Sequence, residues 1–288
     1  MTPTIAIIAA GAMGSAVAGR LTQRGATVLT SLDGRGPESR ARAEAAGMLD
    51  VDDQRLVDEA CMILSIVPPA EARALAERFA ARLGKAVHAP IFVDCNAISV
   101  STLLGIGRDL EQAGARLVDG AIVGPPPKGD SPGPAIYLSG AAAGELAGLS
   151  EYGLDVRVID GPLGAASALK MSYAGITKGL VAIATAMILA ADRAGAGPAL
   201  KAELAASQPQ LLQRFARTLP DMYPKAYRWV EEMHAISDFI GESFPEAVMF
   251  EGAAGLYQRI ADDIAGDGAI SERIDAFFSA SPGLPEGA

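Results

Sequence analysis

Short apolar runs alternate with longer stretches of helical period over the first 120 residues or so. Residues 4–9 (TIAIIA), 26–30, 62–67, 91–95 and 116–119 are short, rich in β-branched residues and bounded by turn formers. Runs that are apolar at nearly every position suit strands covered on both faces. Between them, residues 15–24, 37–46, 70–83 and 102–113 place Ala and Leu at helical spacing among Glu and Arg. Strands alternating with helices predict a parallel, doubly wound sheet.

After Gly161 and Pro162 the pattern changes. Residues 165–192 form one apolar helical stretch in which Lys170 and Lys178 are the charges before Asp192. A helix apolar on nearly all sides is expected to be buried. Residues 199–219, 224–240, 245–264 and 270–278 are all helical in period, three of them with a Pro at or just before the start. The expected architecture is α/β, with a doubly wound domain over residues 1–162, a long interdomain helix, and an all-α domain for substrate binding and dimerisation over residues 163–288. A frayed tail is expected at residues 281–288.

Composition narrows the choice of partner. Half of the 288 residues are apolar, and 24 Lys and Arg against 34 Asp and Glu give a net charge of −10. A phosphate-backbone footprint needs clustered cations, so no nucleic-acid partner is expected. Cys61 and Cys95 each sit in an apolar, strand-like run and read as buried, reduced thiols of a cytoplasmic protein. No cluster of His, Cys, Asp or Glu has metal-ligand spacing. The first 19 residues carry no charged side chain, yet they lack a basic start and two glycines interrupt them, so a secretion signal is not expected. The longest later uncharged run, residues 179–191, is shorter than the roughly 20 residues that cross a bilayer, and no membrane partner is expected.

The end of the first strand carries chemistry. Gly11, Ala12, Met13 and Gly14 open an amphipathic helix and keep the second and third glycines of G-x-G-x-x-G, with Ala9 in place of the first. Following a strand and opening a helix, this predicts the dinucleotide-binding turn of a Rossmann fold, against the plainer reading of an ordinary strand-to-helix turn: Gly11 lets the backbone approach a pyrophosphate, Gly14 lets helix and strand pack closely, and the phosphates meet the helix N-terminus. Two signals after the second strand disagree about the cofactor. Asp33 lies where an acid takes the ribose 2′-hydroxyl of NAD(H), whereas Arg35, backed by Arg40 and Ser31, suits the 2′-phosphate of NADP(H). Because Gly34 follows Asp33 directly, the acid reads as a turn cap, and the basic residues favour NADP(H).

Residues 7–21, with Met13-Gly14, resemble the G-x-G-x-M-G opening of the β-hydroxyacid dehydrogenases, the superfamily of 6-phosphogluconate dehydrogenase, hydroxyisobutyrate dehydrogenase and the imine reductases. Later landmarks follow in order. Ser65-Ile66-Val67-Pro68-Pro69 resembles the loop bordering the nicotinamide, and Asp94-Cys95-Asn96-Ala97 the loop after the fifth strand. The stretch from Asp119 and Gly120 to Gly124 and Pro125 is similar to the substrate-binding D-A-P-V-S-G-G segment. Gly161 to Lys170 resembles the G-x-x-G segment that leads to the catalytic lysine. The resemblance covers about residues 4–175 and implies an NAD(P)-dependent oxidoreductase of small hydroxy acids, a homodimer in which helical domains complete the cleft. Two departures point away from a standard substrate. Tyr173 stands where the family pattern has an Asn, and Pro125, Pro126 and Pro127 remove N–H groups that would hold a carboxylate. They favour the rival reading of an imine reductase, which the retained Lys170 disfavours; a regulator that binds NADPH without turnover is the alternative outside catalysis.

Lys170 is the candidate general acid/base, because burial among apolar neighbours lowers an ammonium's pKa toward neutrality. The plain alternative is a lysine that snorkels to solvent. Tyr173 shares its helix face and is a candidate to orient substrate or relay a proton, or else it is core packing. Asn96 is a candidate for nicotinamide and substrate contact, with Ser65 and Ser99 beside it, because open α/β sheets bind ligands at the carboxyl ends of their strands. Lys128 is a candidate to attract an anion, and His234 and Trp229 are candidates to line a pocket from the helical domain.

Overall fold

A computed structural model describes residues 2–83, 85–86, 88–127, 129 and 133–279, divided into a first unit ending at Lys170 and a second beginning at Met171. The expected tail at 281–288 and Lys128 lie outside the described residues.

The first unit is built on one sheet of eight strands: β1 (Thr4–Ile8), β2 (Thr27–Thr30), β3 (Leu49–Asp50), β4 (Met62–Ser65), β5 (Ile91–Asp94), β6 (Arg116–Val123), β7 (Ala135–Ser139) and β8 (Asp155–Val158). Their order is β3-β2-β1-β4-β5-β6-β7-β8. The first six run parallel, β7 pairs antiparallel with β6, and β8 runs parallel to β7. Alternation along the strands feeds two cores. Ile5, Ile7, Leu64 and Val93 face α1 (Ala12–Gln23) and α2 (Pro37–Ala45), while Ala6, Ile8, Ile63 and Phe92 face α3 (Asp53–Glu59), α4 (Ala72–Leu83) and α5 (Val100–Gln112). This is the doubly wound Rossmann sheet that the alternating pattern predicts, and its strand order reverses between β1 and β4, where the glycine turn lies.

Three details correct the sequence reading. β3, β7 and β8 have no counterpart in it. Residues 119–123 continue β6 instead of forming a loop, because β7 pairs with them from Asp119↔Ser139 to Val123↔Ala135. Cys61 is exposed just ahead of β4, whereas Cys95 is buried as expected.

The long helix α6 (Ala165–Arg193) starts in the first unit and continues into the second, followed by α7 (Gly197–Ser207), α8 (Pro209–Met222), α9 (Ala226–Ile240), α10 (Ala247–Ala265) and α11 (Ala269–Ser279). The single helix expected over 199–219 is two, broken at Gln208 (φ −137°, ψ 52°) just before Pro209, a residue that starts helices well and continues them badly. Val181, Ile188 and Leu189 of α6 pack with Leu219, Tyr257, Ile260 and Ile274 into one core. The expectation that α6 is buried all round fails on one face, where Ile176 is 71%, Ile183 53% and Met187 56% exposed. At 29 residues, with a mean hydropathy of 1.8 over its most apolar window, α6 is also long and apolar enough to cross a bilayer, which counting only the uncharged run had missed.

Candidate functional site

α1 begins at Ala12 with Gly11 in the capping position, and no side chain caps it and no acid occupies its first turn. Space beside Gly11 is open, whereas a Cβ on Gly14 would run into the Ala9 carbonyl oxygen. Gly14 is therefore needed for the closeness of helix and strand, and Gly11 leaves the helix N-terminus bare toward solvent. Met13 is half-buried against the first core. These features fit a pyrophosphate carried by a dinucleotide.

The loop after β2 is held from within. Arg40 donates to the carbonyls of Leu32 (2.6 Å) and Arg35 (3.2 Å), and Asp50 accepts the Leu32 N–H at 2.9 Å. Ser31 is 5% exposed and its hydroxyl accepts from Arg78 at 3.0 Å, so it ties the loop to the neighbouring helices, while Arg40 holds the loop's own carbonyls. Arg35 points elsewhere, reaching Glu71 at 3.5 Å beyond the end of β4. Arg78 pairs with Asp53, which Arg82 also approaches, and these residues line a cavity of about 750 Å³ with Ser31 and Asp33. The Arg78 guanidinium and the Ser31 hydroxyl hold the Asp53 carboxyl below its ordinary value against the opposing effect of burial. None of this cluster except Ser31 and Asp33 was singled out in the sequence, since its members come from three separate elements.

At the ends of β4 and β5 the side chains close on one another. Asn96 is 3% exposed; its Nδ2 donates to Ser65 Oγ (2.7 Å) and Asp94 Oδ2 (3.0 Å), and its Oδ1 accepts from the Val67 N–H (2.7 Å). Both amide protons are used inside the protein, so Asn96, Ser65 and the Val67 N–H knit two strand ends together at the edge where Asn96 and Val67 are expected to meet the cofactor. Ser99 caps α5, accepting from the Thr102 N–H at 3.2 Å. Pro68 and Ala97 remain exposed along this edge.

Asp119, at the same edge, is held by internal hydrogen bonds. It is fully buried and accepts from Ser139 Oγ (3.1 Å), the Ser167 N–H (2.9 Å) and Ser167 Oγ (2.6 Å), while Ser139 Oγ accepts from the Ala166 N–H at 2.9 Å. Two sheet residues thus cap the first turn of α6. Gly120 has a packing role: a Cβ there would stand 2.7 Å from Cys95 Sγ. Gly124 is exposed at φ +126°, a conformation that favours glycine, and stays open to a ligand.

Lys170 lies one turn further along α6. Burial lowers its pKa from the ordinary lysine value, opposed by Cys95, Asp119 and Asp94, the titratable groups around it. Asp94 is pushed up to about 6, chiefly by burial and also by Asp119, against the opposing pull of its Asn96 hydrogen bonds and of Lys170. Tyr173 is 55% exposed, which removes the core-packing alternative. In the second unit His234 is exposed on α9 and pairs with Glu251 of α10 at 2.9 Å. Trp229 packs edge-on against Tyr257, centroids 5.2 Å apart, within the helical core. Among the described residues no group of three or more metal-ligating side chains occurs.

With this geometry in view, comparison with known proteins gives the class. Residues 4–97 match the family described as NADP oxidoreductase coenzyme F420-dependent, and residues 191–260 match a domain of unknown function, DUF1932. The chain is built like the 3-hydroxyacid dehydrogenase-like proteins, with a Rossmann sheet followed by a helical part. A conserved protein of unknown function, whose structure revealed similarity with 3-hydroxyacid dehydrogenases, is 27% identical over 94% of this chain and 99% of its own, with a TM-score of 0.78. The fold likeness extends to 3-hydroxyisobutyrate dehydrogenase of Mycobacterium tuberculosis (17% identity, 97% and 100% of the two chains, TM-score 0.69). It extends also to an imine reductase of Myxococcus stipitatus in complex with NAD+ (20% identity, 95% and 99%, TM-score 0.50). An uncharacterized 28.5 kDa protein of Methanothermus fervidus is 30% identical over 169 residues, 58% of this chain and 63% of that relative's length.

Proposed function

We propose that the chain is a nicotinamide-dependent oxidoreductase that moves a hydride between its cofactor and the C–O carbon of a small hydroxy acid or oxo compound, with Lys170 as general acid/base. The observation that carries this reading is the placement of Lys170, on a helix whose first turn is tied through Asp119 to the sheet, near Asp94 at the carboxyl end of β5. Ligands of open α/β sheets gather along that edge, where the glycine turn also opens.

The backbone from Gly11 through Ala12 and Met13 to Gly14 would hold the pyrophosphate, and Pro68 would border the nicotinamide. Arg35, whose charge is directed away from its own loop, would meet a 2′-phosphate, which favours NADP(H) over NAD(H). The bound nicotinamide supplies or accepts the hydride. In reduction Lys170 gives its proton to the carbonyl oxygen, and in oxidation its free amine takes the hydroxyl proton. Burial lowers the lysine from its ordinary value, which makes its proton easier to give up. Tyr173, exposed one turn beyond Lys170 on the same helix, would orient the substrate.

Fluorescence titration with NADPH and NADH, followed by assay of hydroxy acids, oxo acids and cyclic imines, tests the reading. Lys170→Ala is expected to keep cofactor affinity and to lose roughly 10²-fold or more in turnover; a loss within about threefold overturns the assignment. Turnover of cyclic imines but not oxo acids decides for the imine reductase reading, which the prolines at 125–127 and the exposed Tyr173 favour. Cofactor binding with no turnover of any compound in the parent protein decides for a non-catalytic NADPH-binding regulator.

The outer face of α6 is read as the contact with a second copy. Ile176, Ile183 and Met187 stand out as exposed apolar groups, and between α6 and α10 lies a groove of about 610 Å³ floored by Gly179, Ala182, Ala186 and Gly252. A face that carries both protruding side chains and a small-residue groove can complement itself, as a two-fold contact requires. Ile183→Glu is expected to convert a dimer into a folded monomer in sedimentation; a parent protein that sediments as a monomer removes the dimer.

A further inference from the structure

Lys170 faces an unusual charge problem. It stands in a buried setting, which works against its ammonium form. Two carboxylates answer it. Asp94 and Asp119 are register partners on neighbouring strands, 1% and 0% exposed, and both bear on the lysine. Cys95, the third titratable group around it, is no counter-charge, because burial drives its thiol far above the ordinary range and keeps it neutral.

We propose that Asp119 and Asp94 are positioning residues for Lys170: Asp119 fixes the turn of α6 that leads to the lysine, and both aspartates stand by it as acidic neighbours that favour its ammonium form. The inference rests on the reading of Lys170 as the working acid/base. Their hydrogen bonds separate the two roles. Asp119 receives three donors, two of them from Ser167 in the first turn of α6, and the helix N-terminus itself favours an anion there. Gly164, which precedes the helix, has no side chain to do this work, so the sheet supplies the cap. Asp94 receives donors from Asn96 alone, through its backbone N–H at 2.9 Å and its Nδ2 at 3.0 Å. With its carboxyl raised to about 6, Asp94 is charged at neutral pH and neutral in mild acid, so its own contribution to the charge around Lys170 is lost as pH drops through that value.

The test reads Lys170 directly and needs no substrate. The full-length chain is reductively methylated with ¹³C-formaldehyde, and the Lys170 resonance is identified by its loss in Lys170→Arg and followed with pH. Removing a negative neighbour disfavours the ammonium, so Asp119→Asn and Asp94→Asn are each expected to lower the Lys170 midpoint by about one pH unit or more. Asp263→Asn, which removes a capping aspartate of the second unit, is expected to leave it in place. A midpoint unchanged within about 0.3 in the aspartate variants of the first unit overturns the proposal. If Asp119→Asn does not fold, Asp94→Asn decides alone, since its amide can still bond Asn96. A shifted midpoint together with a fully active Lys170→Ala enzyme would remove the catalytic reading and leave the electrostatic one; an unshifted midpoint with an inactive Lys170→Ala enzyme would do the reverse.

Discussion

In each unit one buried aspartate reaches from outside a helix to start it. Asp119 reaches from β6 to the first turn of α6, and Asp263, at the end of α10, accepts from the Ile270 N–H (2.7 Å), the Ser271 N–H (2.9 Å) and Ser271 Oγ (3.0 Å) of α11. The donor sets are nearly alike. Around Asp263 the hydrogen bonds from Ile270 and Ser271 overcome burial and hold the carboxyl below its ordinary value, and no lysine is among the causes. Around Asp119 the same capping geometry sits beside Lys170, Asp94 and Cys95. The difference separates what a cap does for a helix from what a buried charge does for a neighbouring base.

Exchanging the two positions in assays gives the largest contrast. Asp119→Asn is expected to lower turnover on the order of 10- to 100-fold, because a displaced or discharged Lys170 no longer meets its substrate properly, whereas Asp263→Asn leaves turnover at the parent level. Steady-state rates on whichever substrate the panel identifies measure it, and equal losses at both positions would erase the distinction.

Stability against pH gives the smaller effect. The native Asp263 carboxyl lies below its unfolded value, so its contribution is complete above about pH 4 and lost as pH falls through the native value. The destabilisation caused by Asp263→Asn should therefore shrink on acidification. Asp94 has the opposite sign: its native value of about 6 lies above the ordinary 3.8, so the parent loses stability as pH rises between them. Asp94→Asn should gain relative to the parent over the same range. Urea unfolding at several pH values between about 2 and 7 checks both slopes, and parallel slopes would remove the contrast.

The six parallel strands are not equally legible in the residue pattern. β1, β2, β4, β5 and the start of β6 are apolar at nearly every position because helices cover both their faces. β3 is two exposed residues, and β8 reads Asp155-Val156-Arg157-Val158, the alternating composition of an edge strand, so neither announces itself. The Gln208 break was signalled by Pro209 but overridden by the helical period on both sides. At the site, Gly11, Gly14 and Lys170 could be picked out because local pattern marks them. The capping role of Asp119 could not, since its partners Ser139 and Ser167 lie 20 and 48 residues away and only the antiparallel return of β7 brings them together.

The two cysteines differ in a way that makes the chain its own reporter. Cys61 is exposed ahead of β4, while Cys95 is sealed against Gly120 next to the lysine cluster, its thiol held neutral and out of reach of reagents. A disulfide reagent added to the folded protein therefore titrates one sulfur promptly, and the slow arrival of the second times the opening of the sheet around Lys170. Ligands that grip that edge lengthen the interval, so cofactor binding can be followed as a delay in thiol exchange, with no need for turnover or colour.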